Sequence, residues 1–198
     1  GKIKYTINLD DSPYAMAASP DGNLLALGVD EELFLVHFNT GKLKNYVDLN
    51  DAVEELGKDY RMGSIRGLDF SADGSKIAIA AIGGVLLLNS SNGKPIWWAK
   101  GHKNVKPPGY DYGPDWNAYR VRCTENWVIT SSEDDNTIRF WSIDDGKAGN
   151  TIETFSGYVT SLDISQDGKH LAALGDKGIQ VFNLNGKEIW SKKETDHH

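Results

Sequence analysis

Cysteine is nearly missing: Cys123 stands alone in a chain of 198 residues. One cysteine excludes an internal disulfide and cannot by itself supply a thiolate metal site. That fits a reducing compartment, so a cytoplasmic location is expected, with a mature exported chain left open. Long apolar runs are missing too; none approaches the roughly 18 residues that a membrane-spanning helix needs. The opening Gly1-Lys2-Ile3-Lys4-Tyr5 carries no signal-peptide pattern, though a trimmed chain would have lost one. Basic excess is absent, since 21 Lys and Arg against 28 Asp and Glu leave a net charge of −7. Such a balance argues against a nucleic-acid partner. His197 and His198 read as the remnant of a purification tag and are set aside.

What is present is a repeat. Gly-Lys pairs begin at Gly1, Gly41, Gly93, Gly146 and Gly186, at successive steps of 40, 52, 53 and 40 residues. A second marker, Ser-x-Asp-Gly, begins at Ser19, Ser71 and Ser165, while the third unit has Thr124-Glu125-Asn126 in its place. Asp-Gly between hydrophobic runs signals a hairpin, because these residues tolerate the positive φ of primed turns. Each unit holds four short strand-like runs, and none carries helical periodicity over about ten residues. The inner run 77–81 mixes isoleucine with alanine, whereas the outer run 43–47 alternates as a half-wet strand does. A unit of about 40–45 residues built from short strands is the signature of a propeller blade.

The expected fold is all-β: a β-propeller of four-stranded antiparallel blades, with four blades in one domain over residues 1–198. The units span approximately 10–49, 65–100, 118–156 and 157–193, with insertions at 50–64 and 101–117. Residues 2–9 come after the first Gly-Lys pair and read as a seventeenth strand of outer type. The ring is therefore partial, completed by a partner, or closed with one strand spare.

In the third unit, Thr137-Ile138-Arg139-Phe140-Trp141-Ser142 resembles the tryptophan-bearing strand of WD-repeat propellers, with Ser142 where aspartate is usual. Gly101-His102 is similar to that family's Gly-His pair, displaced by an insertion. The resemblance implies a structural hydrogen-bond network of His102, Ser131 or Ser132, Asp135 and Trp141. The positions matching Trp141 elsewhere are Val36, Leu88 and Phe182. The runs ending in Trp97 and Trp190 are similar to the blade ends of quinoprotein-like propellers.

Both insertions fall between an outer strand and the next inner strand, so they are expected to emerge side by side on one face. Loops held on a rigid frame are where binding residues gather. In the first, Asp51 is expected to cap a helical turn that Gly57 stops, with Tyr60 and Arg61 just beyond. The second carries Tyr110, Tyr112, Asp115 and Trp116, with the large amphipathic surfaces that interfaces favour. These six residues are the candidate partner-binding set. His102 beside a serine also suggests a catalytic triad, but Ser131 sits mid-strand and no oxyanion donors accompany it. Cys123 reads as a small buried hydrophobe, and Asp21, Asp73 and Asp167 as turn residues. No catalytic, metal or cofactor site is expected. The function expected is a non-catalytic scaffold for a protein partner, with self-association or a partner chain completing the ring. The alternative is a quinoprotein-like redox enzyme or small-ligand sensor using the central cavity.

Overall fold

The structure, a computed structural model, describes residues 5–9, 11–103, 116–133, 135–154 and 158–193. Its repeating unit starts from turn chemistry. At Ser19, Ser71 and Ser165 the hydroxyl donates to the aspartate two residues on and accepts the backbone N–H five residues on. The N–H of Gly22, Gly74 or Gly168 closes the turn on the same serine's carbonyl. Of the turn residues only the glycine lies at positive φ, +69° at Gly22. These are type I turns with a left-handed glycine after them, not the primed turns expected from Asp-Gly.

Four antiparallel sheets result, each with its strands in sequential order. The first holds β1 (Ala15–Ala18), β2 (Leu24–Val29), β3 (Glu32–His37) and β4 (Leu43–Asp48). Helix α1 (Leu49–Glu55) leads to the second sheet: β5 (Ile65–Phe70), β6 (Lys76–Ala81), β7 (Gly84–Asn89) and β8 (Pro95–Ala99). A two-stranded ladder comes next, β9 (His102–Lys103) with β10 (Trp116–Asn117). The third sheet holds β11 (Arg120–Cys123), β12 (Trp127–Ser131), β13 (Thr137–Ser142) and β14 (Ala148–Glu153). The fourth holds β15 (Val159–Ile164), β16 (His170–Gly175), β17 (Gly178–Asn183) and β18 (Glu188–Lys193). In all four, the register between third and outer strand slips at the same place, beside Val36, Leu88, Trp141 and Phe182.

The sheets stack face to face as blades. Leu24, Ala26, Leu33 and Leu35 of the first pack on Leu68, Phe70, Ile77 and Ile79 of the second. The other face of the second sheet, Ala78, Ala80, Val85 and Leu87, packs on Val121, Val128 and Trp141 of the third. Ile129, Ile138 and Phe140 then meet Leu162, Leu171 and Phe182 of the fourth. The innermost strands β1, β5, β11 and β15 neighbour one another in that order, as blades around a common axis require. Close approach there needs glycine: a Cβ on Gly67 would lie 3.0 Å from the Tyr119 carbonyl oxygen.

Two expectations need correction. Of the strand expected at 2–9, residues 5–9 form none, although their burial alternates as a strand's would, and residues 2–4 lie outside the described residues. The helix in the first insertion is capped by Asp48, not Asp51. The Asp48 carboxylate accepts the N–H groups of Asn50 and Asp51, placing Asp51 in the first turn beside the positive end of the helix.

Candidate functional site

The first insertion is held by its apolar side. Leu49, Ala52 and Val53 of α1 are buried in the core between the first two sheets. Asn50 Oδ1 accepts the Met62 N–H at 2.9 Å, and Trp98 Nε1 donates to Met62 Sδ at 3.2 Å. Tyr60 lies on Trp98 with ring centroids 5.0 Å apart, so this aromatic is partly committed to packing. Arg61 is exposed. Together they line an open groove of about 730 Å³ whose other charged walls are Glu31, Asp48, Asp51, Glu54, Lys58 and Asp59. Five carboxylates against two cations give the groove a negative field, in which a basic segment is favoured.

The second insertion ends across one turn from the end of the first. The β6–β7 turn is gripped from both sides: Gly63 N–H donates to the Ile82 carbonyl and Ile82 N–H to that of Ser64. On its other flank Ile82 bridges to Asn117, and Ala118 N–H donates to the Ala81 carbonyl. The roots of both insertions thus bracket one turn, on one end of the blades. Trp116 pairs through its backbone with Lys103. Tyr110, Tyr112 and Asp115 lie outside the described residues.

Behind this face runs a buried polar chain. Trp141 Nε1 donates to Thr130 Oγ1 at 2.8 Å, Thr130 Oγ1 lies 2.9 Å from His102 Nε2, and His102 Nδ1 lies 3.0 Å from Asp135 Oδ1. A carboxylate only accepts, so His102 carries its proton on Nδ1, and Nε2 accepts from Thr130. Burial pushes the His102 imidazole below its ordinary range, and the Asp135 hydrogen bond offsets this only in part, leaving the ring neutral. Burial works to raise the Asp135 carboxyl, yet hydrogen bonds from His102 and Thr137 outweigh it and hold the group at about 2. Arg139 Nη2, 3.0 Å from Asp135 Oδ2, closes the chain.

Of the residues expected in this chain, His102, Asp135 and Trp141 are brought together, but the hydroxyl between them is Thr130. Val128 pairs directly with Trp141 and Thr130 with Arg139, so Val128, Thr130 and Trp141 share one face of the sheet. Ser131, one step along, points to the other face, where its buried hydroxyl has no partner among the described residues. Ser132 is buried just past the strand's end. Strand alternation was the signal that selects Thr130 over Ser131. The Cys123 N–H donates to Asp69 Oδ2 at 2.7 Å between β5 and β11, and burial lifts the Cys123 thiol well above its ordinary range. Such a thiol is a poor nucleophile.

Comparison with known proteins agrees with this geometry. The family described as WD domain, G-beta repeat, matches residues 149–183, from within β14 to the end of β17. The chain is 30% identical over 71 residues to the target of rapamycin complex subunit LST8-1 of Arabidopsis thaliana, covering 36% of this chain and 23% of that protein. It is 38% identical over 58 residues to the target of rapamycin complex subunit wat1 of Schizosaccharomyces pombe, 29% of this chain and 18% of the relative. A coronin-like protein of Saccharomyces cerevisiae matches at 35% over 66 residues, 33% of this chain and 10% of the relative. The matches thus span less than a quarter of each relative's length. No helix among the described residues is long and apolar enough to cross a membrane. The matched repeat, ending at the positions where the third blade has Trp141 and Ser142, and the four stacked blades mark the chain as a WD-repeat-like β-propeller protein.

Proposed function

We propose that the chain is a non-catalytic scaffold that binds a protein partner through the face carrying residues 50–64 and 102–117, with Tyr60, Arg61, Tyr110, Tyr112, Asp115 and Trp116 as contact residues. The observation that carries the reading is the bracketing of the Ile82–Gly83 turn by both insertions, which sets two long loops on one rigid frame. The acidic groove beside Tyr60 and Arg61 adds a charge preference for a basic segment of the partner. Two of the relatives are named as subunits of a complex, which supports a role in assembly. The His102–Asp135 chain is structural in this reading: it ties β9 to β12 and β13. A partner chain that completes the ring belongs to the same proposal, as do a cytoplasmic location and the absence of a nucleic-acid partner. No observation on the described residues favours the redox or sensor alternative.

The test is quantitative cross-linking of the tagged chain in its native host, compared with a variant carrying Tyr110→Ala, Tyr112→Ala and Trp116→Ala. Loss of a defined cross-linked partner, with the far-ultraviolet spectrum unchanged, is the expected result. Identical cross-links in both would remove the loop face from the proposal.

A further inference from the structure

The arginines of the innermost strands are not alike. On β11, Arg120 Nε donates to the Thr160 carbonyl at 2.6 Å and Nη1 to that of Tyr119 at 3.1 Å. Arg122 Nη1 donates to the Val121 carbonyl at 3.0 Å, and its Nε lies 3.4 Å from Asp163 Oδ1. Arg66 on β5 has no such acceptor among the described residues. Its guanidinium lies over the Tyr14 ring, with Cζ 5.2 Å from the ring centroid. Its Nε is buried and makes no hydrogen bond, although the residue as a whole is part-exposed. A buried N–H without an acceptor costs free energy, and folds keep such a cost where function uses the group.

The backbone sets Arg66 apart as well. In the β5–β6 ladder Ile65 pairs with Ala81 and Gly67 with Ala80, so Arg66 is the extra residue of a bulge. A bulge re-aims the side chain it carries, and bulges gather beside functional sites. The residues just before it are anchored. The Ile65 N–H donates to the Asp30 carbonyl at 2.6 Å, and the Ser64 hydroxyl lies 3.4 Å from Asp30 Oδ1. Ser64 also ends the first insertion, so Arg66 stands where β5 begins, on the face that carries both insertions. A guanidinium held over an aromatic face by the ring quadrupole keeps its in-plane N–H donors for another acceptor.

We propose that Arg66, backed by Tyr14, is the anchor for a side-chain carboxylate on an acidic segment of the protein partner. A guanidinium matches a carboxylate through two parallel N–H···O bonds, which would give the buried Nε its acceptor. A carboxylate suits the place better than a phosphate, because one positive charge has to balance it. The side chains of Arg120 and Arg122 are already turned to Glu133 and Asp163. The net charge of −7 disfavours a dianion further. The inference rests on the reading of the chain as a scaffold for a protein partner and adds the chemistry of one contact. The groove at Tyr60 and Arg61 favours a basic stretch, and Arg66 takes an acidic residue.

The probe is the α-amide of N-acetylglutamate, which carries one side-chain carboxylate. It is titrated into the isotope-labelled full chain and followed by nuclear magnetic resonance at the Arg66 Nε–H and the Tyr14 ring. Both signals should shift saturably, and the matched glutamine compound should move neither. Arg66→Lys keeps the charge but not the paired donors and should weaken binding by about 10-fold. In Arg66→Gln the Tyr14 signals should not respond. Unmoved Arg66 and Tyr14 signals in the parent chain overturn the proposal, and so does inorganic phosphate binding more tightly than the carboxylate at equal ionic strength. In the native host, cross-linking of the Arg66→Gln chain should lose contacts with a partner peptide that bears Asp or Glu. An unchanged set of cross-links overturns the partner assignment. Should Arg66→Gln fail to fold, Arg66→Lys carries both arms. The alanine substitutions at Tyr110, Tyr112 and Trp116 leave this anchor intact, so the loop face and the anchor can fail separately.

Discussion

Single residues set this fold by what they lack as much as by what they bring. Gly146 sits at φ +69° with the Trp97 ring at 2.7 Å from where its Cβ would be. Gly168 has a similar φ of +67° and open space around it. The pair separates two effects. Gly168→Ala should cost only the left-handed penalty of about 1–2 kcal/mol, read from denaturant unfolding. Gly146→Ala adds the displacement of a buried indole and should cost clearly more; equal losses would mean the junction yields easily. Thr130 poses the opposite case. Thr130→Val keeps the shape but strands the Trp141 N–H and the His102 Nε2, two buried groups at about 1–3 kcal/mol each, whereas Thr130→Ser should recover most of that. His102 also gives a sign for pH. Its folded pKa lies below the ordinary 6.5, so the unfolded chain takes up a proton that the folded chain refuses. Stability should be fully present above about pH 6.5 and fall as pH drops below it. A second loss comes between 3.8 and about 2, where Asp135 is protonated in the unfolded chain first. Urea midpoints measured from pH 8 to 5 for the parent chain and for His102→Gln check the first step: the slope should vanish in the variant.

At the scale of the element, sequence legibility tracks locality. The Ser-x-Asp-Gly turns, the Gly-Lys turns and the period that joins them are written in neighbouring residues, so the strand order and the four sheets were readable. The turn type was not, because Asp21 and Gly22 suit either geometry and the strand twist chooses. The hydroxyl that joins Trp141 to His102 belongs to Thr130, a choice that depends on which face Trp141 takes across the β12–β13 ladder. The cap of α1 was misplaced by three residues because β4 runs straight into the helix, so its last residue, Asp48, serves as cap. Asp48→Ala should cost about 1 kcal/mol of stability. It should also speed hydrogen exchange in α1 while leaving β6 and β7 unchanged, as helix and groove loosen together. Uniform acceleration across the chain would show instead that α1 unfolds only with the whole.

Taken whole, the molecule is a row of blades whose ends differ from its middle, and its stability should be graded accordingly. The second blade is enclosed on both faces: Ile77 through Ala81 and Val85 through Leu88 are all fully buried. The fourth has one covered face, while its outer strand β18 is exposed along its entire length. The first is intermediate, since Tyr5 reaches Gly41 and shields part of that end. In a repeat array each unit draws much of its stability from contacts with its neighbours, so a blade with one neighbour opens first. Hydrogen exchange should therefore rank protection as β6 and β7 first, then β2 and β3, with β17 and β18 last. If β17 and β18 prove as protected as β6 and β7, the fourth blade is stabilised from within and not by its neighbour.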